Sequence, residues 1–165
     1  MRRRLPGNQS GRNFHRFGND PIRRQMTYLE YLQGLQLEFF TPAEIAFRGA
    51  SDSGLGLNTD PPAELWANMV KTAWLADQAR GYLGSPIRVL SAYRSPAYNS
   101  AISGASQSRH LSNDALDLQP LSTTPRKLHA ALLGFRDAGL FRGGLGLYNS
   151  FVHVDRRGSN ADWTG

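Results

Sequence analysis

The order of helix and strand signals along the chain is the feature that most constrains its fold. Helix signals fall mostly in the first half of the chain and strand signals mostly in the second half. A regular alternation of strands and helices would predict a parallel sheet, and the sequence shows neither that alternation nor an internal repeat. We therefore expect an α+β fold in which helices pack on a small antiparallel sheet.

The longest helix signal runs from Asp60 to Leu83. Asp60 is placed to cap this helix, Pro61 and Pro62 suit its first turn, and apolar residues recur at helical spacing. Three shorter helices are predicted where a capping hydroxyl precedes a proline, at Thr41–Pro42, Ser95–Pro96 and Thr124–Pro125.

Strand signals occupy the stretches between and after these helices. Residues 87–93 and 115–118 are short apolar runs bounded by turn residues, which is typical of buried strands. Residues 143–148 and 151–155 predict a β-hairpin that turns through Asn149-Ser150.

Nearly all of the net positive charge lies at the start of the chain. Residues 1–24 contain seven arginines and one acid, whereas residues 25–165 contain twelve basic and twelve acidic side chains. We expect residues 1–25 to form a basic, flexible arm and residues 26–165 to form a single domain. Two interpretations of the arm stay open: it binds a polyanion such as nucleic acid or an anionic cell wall, or it is a solvated leader.

The composition excludes several chemistries. The chain has no cysteine, so disulfides, thiolate zinc sites and cysteine nucleophiles are all ruled out. No apolar run approaches the ~18 residues needed to cross a bilayer. The basic start Arg2–Arg4 is followed by polar residues instead of an apolar stretch, so no signal peptide is expected.

Two separated clusters combine imidazole and carboxylate side chains. His110 precedes Asp117 by seven residues across a turn, and His153 lies on a predicted strand with Asp155 two residues later. Residues two apart on a strand project from one face, roughly 6.5–7 Å apart. Two histidines and one aspartate match a catalytic zinc, which needs three protein ligands and one open position. By themselves the residues also fit a turn-capping His110 and a hydrogen-bonded core His153.

A longer pattern resembles a known family. The stretch Ser91–Asn99, then Gly104-Ala105, then Ser108–Asp117, is similar to the M15 family pattern S-x-Y-R-S-x-x-x-N…G-G/A…S-x-H-x-x-G-x-A-x-D. Residues 143–148 and 151–155 resemble the closing hairpin of that family. The resemblance is to the LAS-type zinc peptidases of the M15 family, subfamily A in particular. The family includes D-Ala-D-Ala carboxypeptidases and peptidoglycan endopeptidases such as phage lysins.

The resemblance implies a role for each matching residue. It implies one Zn²⁺ per chain, with His110, Asp117 and His153 as the metal ligands. Arg94 would stabilise the oxyanion or hold the substrate carboxylate, tasks that its planar, always-charged fork suits. Ser108 would line the substrate site, although a local hydrogen bond in the turn is an equal interpretation.

Two positions depart from the family pattern. Asn113 stands where the family has glycine, a mild change because asparagine tolerates a left-handed backbone. Ser150 stands where the family has the acid that serves as general base, and a hydroxyl cannot hold a proton taken from water. We expect Asp155 to replace that acid, with Asp114 as a weaker candidate. The alternative is that Asp155 orients the imidazole of a metal ligand.

The resemblance implies a zinc-dependent hydrolase that cuts peptide bonds in bacterial cell-wall peptidoglycan. Because no signal peptide is expected, the wall would be reached after lysis or from a virus particle. The absent acid at position 150 supports a second hypothesis, a catalytically inactive zinc-containing module that binds the wall or belongs to a virion. The sequence does not distinguish a carboxypeptidase from an endopeptidase.

Overall fold

The computed structural model describes residues 25–49 and 56–165. Residues 1–24 of the predicted basic arm therefore lie outside the described residues. The helices are α1 (Tyr28–Gln33), α2 (Pro42–Ile45), α3 (Trp66–Leu83), α4 (Pro96–Ala101) and α5 (Pro125–Asp137). The strands are β1 (Ile87–Ser91), β2 (Ala115–Pro120), β3 (Gly144–Leu147), β4 (Val152–Asp155) and β5 (Ala161–Thr164).

The five strands form one sheet in the order β1-β2-β4-β3-β5. Neighbouring strands run antiparallel except for β3 and β5, which run parallel. The expected α+β fold with helices on a small, mostly antiparallel sheet is confirmed. The predicted hairpin is confirmed as β3 and β4, whereas β5 was not predicted.

Capping side chains begin the short helices where the sequence predicts. The hydroxyl of Thr41 accepts the backbone N–H of Glu44, whose carboxylate accepts the Thr41 N–H in return. Ser95 and Thr124 likewise accept a backbone N–H from the first turn of α4 and α5. Each cap satisfies a donor that the helix itself cannot pair.

The predicted cap at Asp60 is wrong. The helical segment begins with a 3-10 turn at Ala63–Leu65, and α3 follows from Trp66. Pro61 and Pro62 have no backbone N–H, so the first turn offers the Asp60 carboxylate little to accept. Asp60 instead accepts a hydrogen bond from the guanidinium of Arg48 at 3.0 Å.

The two faces of the central strands have different contents. Leu116, Leu118, Val152 and Val154 are fully buried in the apolar core, which α3 and α5 cover. Side chains alternate along a strand, so the residues between them point to the opposite face. That face carries the polar groups described below.

A buried carboxylate on α3 holds the segment that connects α1 and α2. Asp77 is 2% exposed and accepts the backbone N–H groups of three consecutive residues at 2.8–3.1 Å. These residues are Glu38, Phe39 and Phe40. The carboxylate thus replaces a strand or helix as the partner of this irregular backbone.

Removing this carboxylate should destabilise the fold. We expect Asp77→Ala to lower the free energy of unfolding by about 3 kcal/mol, because buried N–H groups lose a charged acceptor. Chemical denaturation measures the change. The exposed Asp137 on α5 is a matched control, and Asp137→Ala should change stability by less than about 0.5 kcal/mol. Equal effects of the two substitutions would contradict the proposed anchoring.

Candidate metal centre

Three elements bring two imidazoles and one carboxylate together. His110 lies in a 3-10 turn (Arg109–Ser112), Asp117 on β2 and His153 on β4. The antiparallel register places Asp117 directly opposite His153. One donor atom of each residue lies within 4.8 Å of the donor atoms of the other two. The three residues that the sequence singles out as metal ligands therefore form one buried cluster.

The contacts of His110 leave one ring nitrogen available for a metal. Its Nδ1 lies 2.6 Å from the backbone carbonyl of Ala92, so Nδ1 carries the hydrogen and donates. Its Nε2 is buried and has no hydrogen-bond partner in the described part of the chain, although Asp117 Oδ1 is 3.2 Å away. An unpartnered buried nitrogen beside a carboxylate is a suitable ligand for a metal cation.

His153 lies between two carboxylates. Its Nδ1 is 2.9 Å from Asp117 Oδ1, and its Nε2 is 3.0 Å from Asp155 Oδ2. Its ring meets that of His110 edge to face, with centroids 5.1 Å apart. The atoms of the cluster that lie nearest one another are therefore His110 Nε2, Asp117 Oδ1 and His153 Nδ1. Asp155 holds the other ring nitrogen of His153, Nε2.

The environment shifts the pKa of each member of the cluster. Burial lowers the pKa of His110, which favours the neutral imidazole that binds metals. Burial acts in the same direction on His153, but hydrogen bonds to Asp117 and Asp155 outweigh it and raise the His153 pKa. Burial would raise the pKa of Asp117, yet the two neighbouring imidazoles lower it, and His153 does so through a direct hydrogen bond, so the carboxylate is ionised.

Arg94 fixes the carboxylate of Asp117 from the other side. Its Nη2 donates to Asp117 Oδ2 at 2.8 Å, and its Nε donates to Ser91 Oγ at 2.8 Å. The backbone N–H of Arg94 donates to the carbonyl of His110 at 3.1 Å, which ties the arginine to the turn that carries a candidate ligand. Arg94 therefore orients a candidate ligand as well as facing the cleft.

Both carboxylate oxygens of Asp155 already accept hydrogen bonds, which does not suit a general base. It is fully buried, and Oδ1 accepts the backbone N–H groups of Gly144 and Arg157, both at 3.0 Å. The guanidinium of Arg157 and His153 Nε2 occupy Oδ2. Burial would raise the pKa of this carboxyl, but these hydrogen bonds lower it well below its usual range. Of the two roles that the sequence leaves open for Asp155, its contacts favour orienting His153.

The other residues that the sequence singles out lie around the cluster. Ser108 lines the cleft and makes no capping hydrogen bond with the turn that follows it. Asn113 adopts the expected left-handed backbone, with φ of 55°, and its amide donates to the carbonyl of Leu65 at 3.0 Å. Ser150 is exposed in the turn between β3 and β4, and Asp114 is buried in an ion pair with Arg109.

A cleft of about 390 Å³ opens onto the cluster. This metal cleft is lined by the three candidate ligands, by Ser108, by three arginines and by three aromatic rings: Arg94, Arg109 and Arg157, and Tyr148, Phe151 and Trp163. Sequence reasoning did not assign Tyr148 or Trp163 to the site. Gly144 and Gly146 were the available signal, because alternate glycines on a strand leave room for a large side chain, but they do not say which one.

The geometry is that of a candidate metal centre, in which two histidines and one aspartate face a cleft. The chain belongs to the peptidase M15 family, because a family model described as Peptidase M15 matches residues 38–155. Membership of this family indicates a zinc-dependent enzyme. No curated protein matches the chain. Within the described ranges, none of the helices has the length and apolar character required to cross a membrane.

Substituting a candidate ligand should abolish zinc binding. Because orienting residues alone contribute about 10–100-fold to metal affinity, we expect His110→Ala or His153→Ala to weaken zinc binding by more than about a hundredfold. His129, a half-buried residue on α5, supplies the matched control. Zinc content after dialysis and titration calorimetry measure the effect. Full zinc occupancy in His110→Ala protein would contradict the assignment.

A second substitution distinguishes the two roles of Asp155. An amide at this position has one acceptor oxygen for the donors that surround the carboxylate, so His153 is held less firmly in Asp155→Asn protein. If Asp155 orients His153, zinc affinity should fall about 10–100-fold. If Asp155 is the base, zinc affinity stays unchanged and only kcat falls. Asp162→Asn, a carboxylate paired with Arg136 outside the lining of the cleft, is the control.

Proposed function

We propose that the protein is a zinc-dependent peptidase that hydrolyses peptide bonds in the stem peptides or cross-links of bacterial peptidoglycan. The observation that carries the proposal is the buried cluster of His110, Asp117 and His153, which faces a cleft in a chain of the peptidase M15 family. A zinc ion held by His110 Nε2, Asp117 and His153 Nδ1 would supply Lewis acidity and an activated water.

Arg94 is the residue best placed to bind negative charge in the cleft. Two of its guanidinium nitrogens are held by Ser91 and Asp117, so the fork is fixed in orientation. Its Nη1 has no partner among the residues that the structure describes, and Arg94 lines the cleft. We assign to it the oxyanion of the reacting amide or the terminal carboxylate of the peptide.

Proton transfer is where this site departs from the usual pattern of its family. Among the described residues that line the cleft, Asp117 is the sole carboxylate, and it belongs to the candidate ligands. Ser150 lies exposed in its turn, and Asp155 is buried behind His153. We therefore assign Asp155 to the support of His153 instead of to proton transfer.

The lack of a further carboxylate among the described residues that line the cleft also favours a second function. A cleft with no additional carboxylate in its described lining suits a module that holds zinc and binds the wall without cutting it. The two functions predict the same zinc content and opposite turnover. A zinc-loaded protein that sediments with purified peptidoglycan and releases no fragments would establish the binding module.

Digestion of purified peptidoglycan tests the peptidase. We expect the protein stripped of zinc to be inactive and zinc to restore the release of soluble fragments, because a zinc ion held by the three candidate ligands would lie in the cleft. Mass analysis of the fragments distinguishes two outcomes. A carboxypeptidase releases a free terminal amino acid, whereas an endopeptidase splits a cross-link. His129→Ala protein should remain active. Unchanged hydrolysis by His153→Ala protein would contradict the proposal.

Arg94 and the exposed Arg88 on β1 form a matched pair for a second test. Lysine keeps the charge but loses the planar fork, so Arg94→Lys should lower kcat/KM by about 10²–10³-fold. Arg88→Lys should leave kcat/KM within about twofold, since Arg88 lies outside the cleft. An Arg94→Lys enzyme with wild-type kcat/KM would remove Arg94 from the proposed mechanism.

A further inference from the structure

The unpredicted strand β5 brings an indole ring into the metal cleft. In the parallel register, Trp163 lies beside Gly146 of β3. A Cβ atom built on Gly146 or Gly144 would lie less than 3.0 Å from atoms of this ring. The indole therefore packs against bare backbone, and only residues without a side chain allow so close an approach.

The indole lies between a candidate metal ligand and a tyrosine. Its ring centroid is 5.3 Å from that of His153, and the guanidinium of Arg157 lies 5.1 Å from its ring. Its Nε1 donates a hydrogen bond to the hydroxyl of Tyr148 at 2.9 Å. An indole N–H can only donate, so the polarity of this hydrogen bond is settled.

Tyr148 is held at three points. Its backbone N–H donates to the carbonyl of Phe151 at 3.0 Å, and its ring stacks on that of Phe151 with centroids 4.3 Å apart and planes 8° apart. Its hydroxyl oxygen accepts from Trp163, which leaves the phenolic hydrogen to donate elsewhere. None of the described residues accepts that hydrogen, and Tyr148 lines the cleft onto which the three candidate ligands open.

Two of the three arginines in the cleft are already paired with carboxylates. The guanidinium of Arg109 is paired with Asp114, and that of Arg157 is paired with Asp155. Arg94 spends part of its fork on Asp117. A phenol fixed by an indole and a stacked ring is thus a preorganised neutral donor, the kind of group that stabilises developing charge at little cost of reorganisation.

We propose that Tyr148 is a catalytic residue that donates a hydrogen bond to the oxyanion formed when the peptide carbonyl is attacked, and that Trp163 positions it. This inference rests on the proposed peptidase function. Tyr148 keeps its proton throughout, so the role is electrostatic and needs no base. It complements Arg94, which would approach the oxyanion from the β1 side of the cleft.

Removing the hydroxyl alone tests the role of Tyr148. Tyr148→Phe keeps the ring stacked on Phe151, and we expect kcat to fall about 10²–10³-fold, as for other single oxyanion donors, with KM and zinc affinity changed less than about twofold. Tyr82, an exposed tyrosine on α3, provides the control, and Tyr82→Phe should be neutral. A Tyr148→Phe enzyme with wild-type kcat, or with zinc affinity lowered in parallel with kcat, would overturn the proposal.

A double substitution tests whether Trp163 acts through Tyr148. Trp163→Phe keeps an aromatic ring over Gly146 and removes the N–H, so kcat should fall about tenfold, the value of one hydrogen bond. In the Tyr148→Phe background the same change should have no further effect on kcat. The half-buried Trp74 on α3 is the control site. Additive losses in the double variant would mean that Trp163 does not act through the hydroxyl.

Binding of a tetrahedral analogue provides a readout independent of turnover. A phosphinate pseudo-dipeptide carries negative oxygens where the oxyanion forms, so its Kd for zinc-loaded protein should rise at least about tenfold in Tyr148→Phe protein. Zinc-loaded wild-type protein that binds the analogue but releases no wall fragments would reject the peptidase alone. Wild-type activity together with unchanged analogue binding by Tyr148→Phe would reject the Tyr148 assignment alone.

Discussion

The antiparallel pairing of β2 with β4 is the interaction on which the site depends. It sets Asp117 opposite His153, and the same register buries Leu116 and Val154 in the core on the other face. Because side chains alternate along a strand, a slip of one residue would send the polar pair into the core and the apolar pair into the cleft. The hydrophobic core and the candidate metal centre therefore require the same register.

Buried charges in this centre are arranged in alternation. A chain of contacts runs from Arg94 through Asp117, His153 and Asp155 to Arg157. An isolated buried carboxylate is costly, and each of these two carboxylates lies between cationic or donating partners instead. This arrangement holds the imidazole of His153 in a fixed orientation from both sides, so the ligand atoms are preorganised for a cation.

The last strand changes the interpretation of the cleft. Without β5, the described lining of the cleft would still include the candidate metal ligands, three arginines, Tyr148 and Phe151, with a serine at position 150 where the family pattern has an acid. Trp163 crosses the glycines of β3 and reaches Tyr148, which adds a fixed neutral donor to the wall of the cleft. The unpredicted strand thus bears on charge stabilisation in the cleft, whereas Ser150 bears on proton transfer.

The sequence by itself determined most of the elements and the three candidate ligands. Local patterns mark the helix starts, where a capping hydroxyl precedes a proline, and the hairpin of residues 143–155. His110, Asp117 and His153 lie in short motifs that resemble the family pattern. Spacing and resemblance were therefore enough to find them. Only the tertiary structure shows which groups surround Asp155, that Asp60 does not cap α3, and where Trp163 lies. Each of these depends on which groups from distant segments surround a side chain, and no local periodicity encodes that neighbourhood.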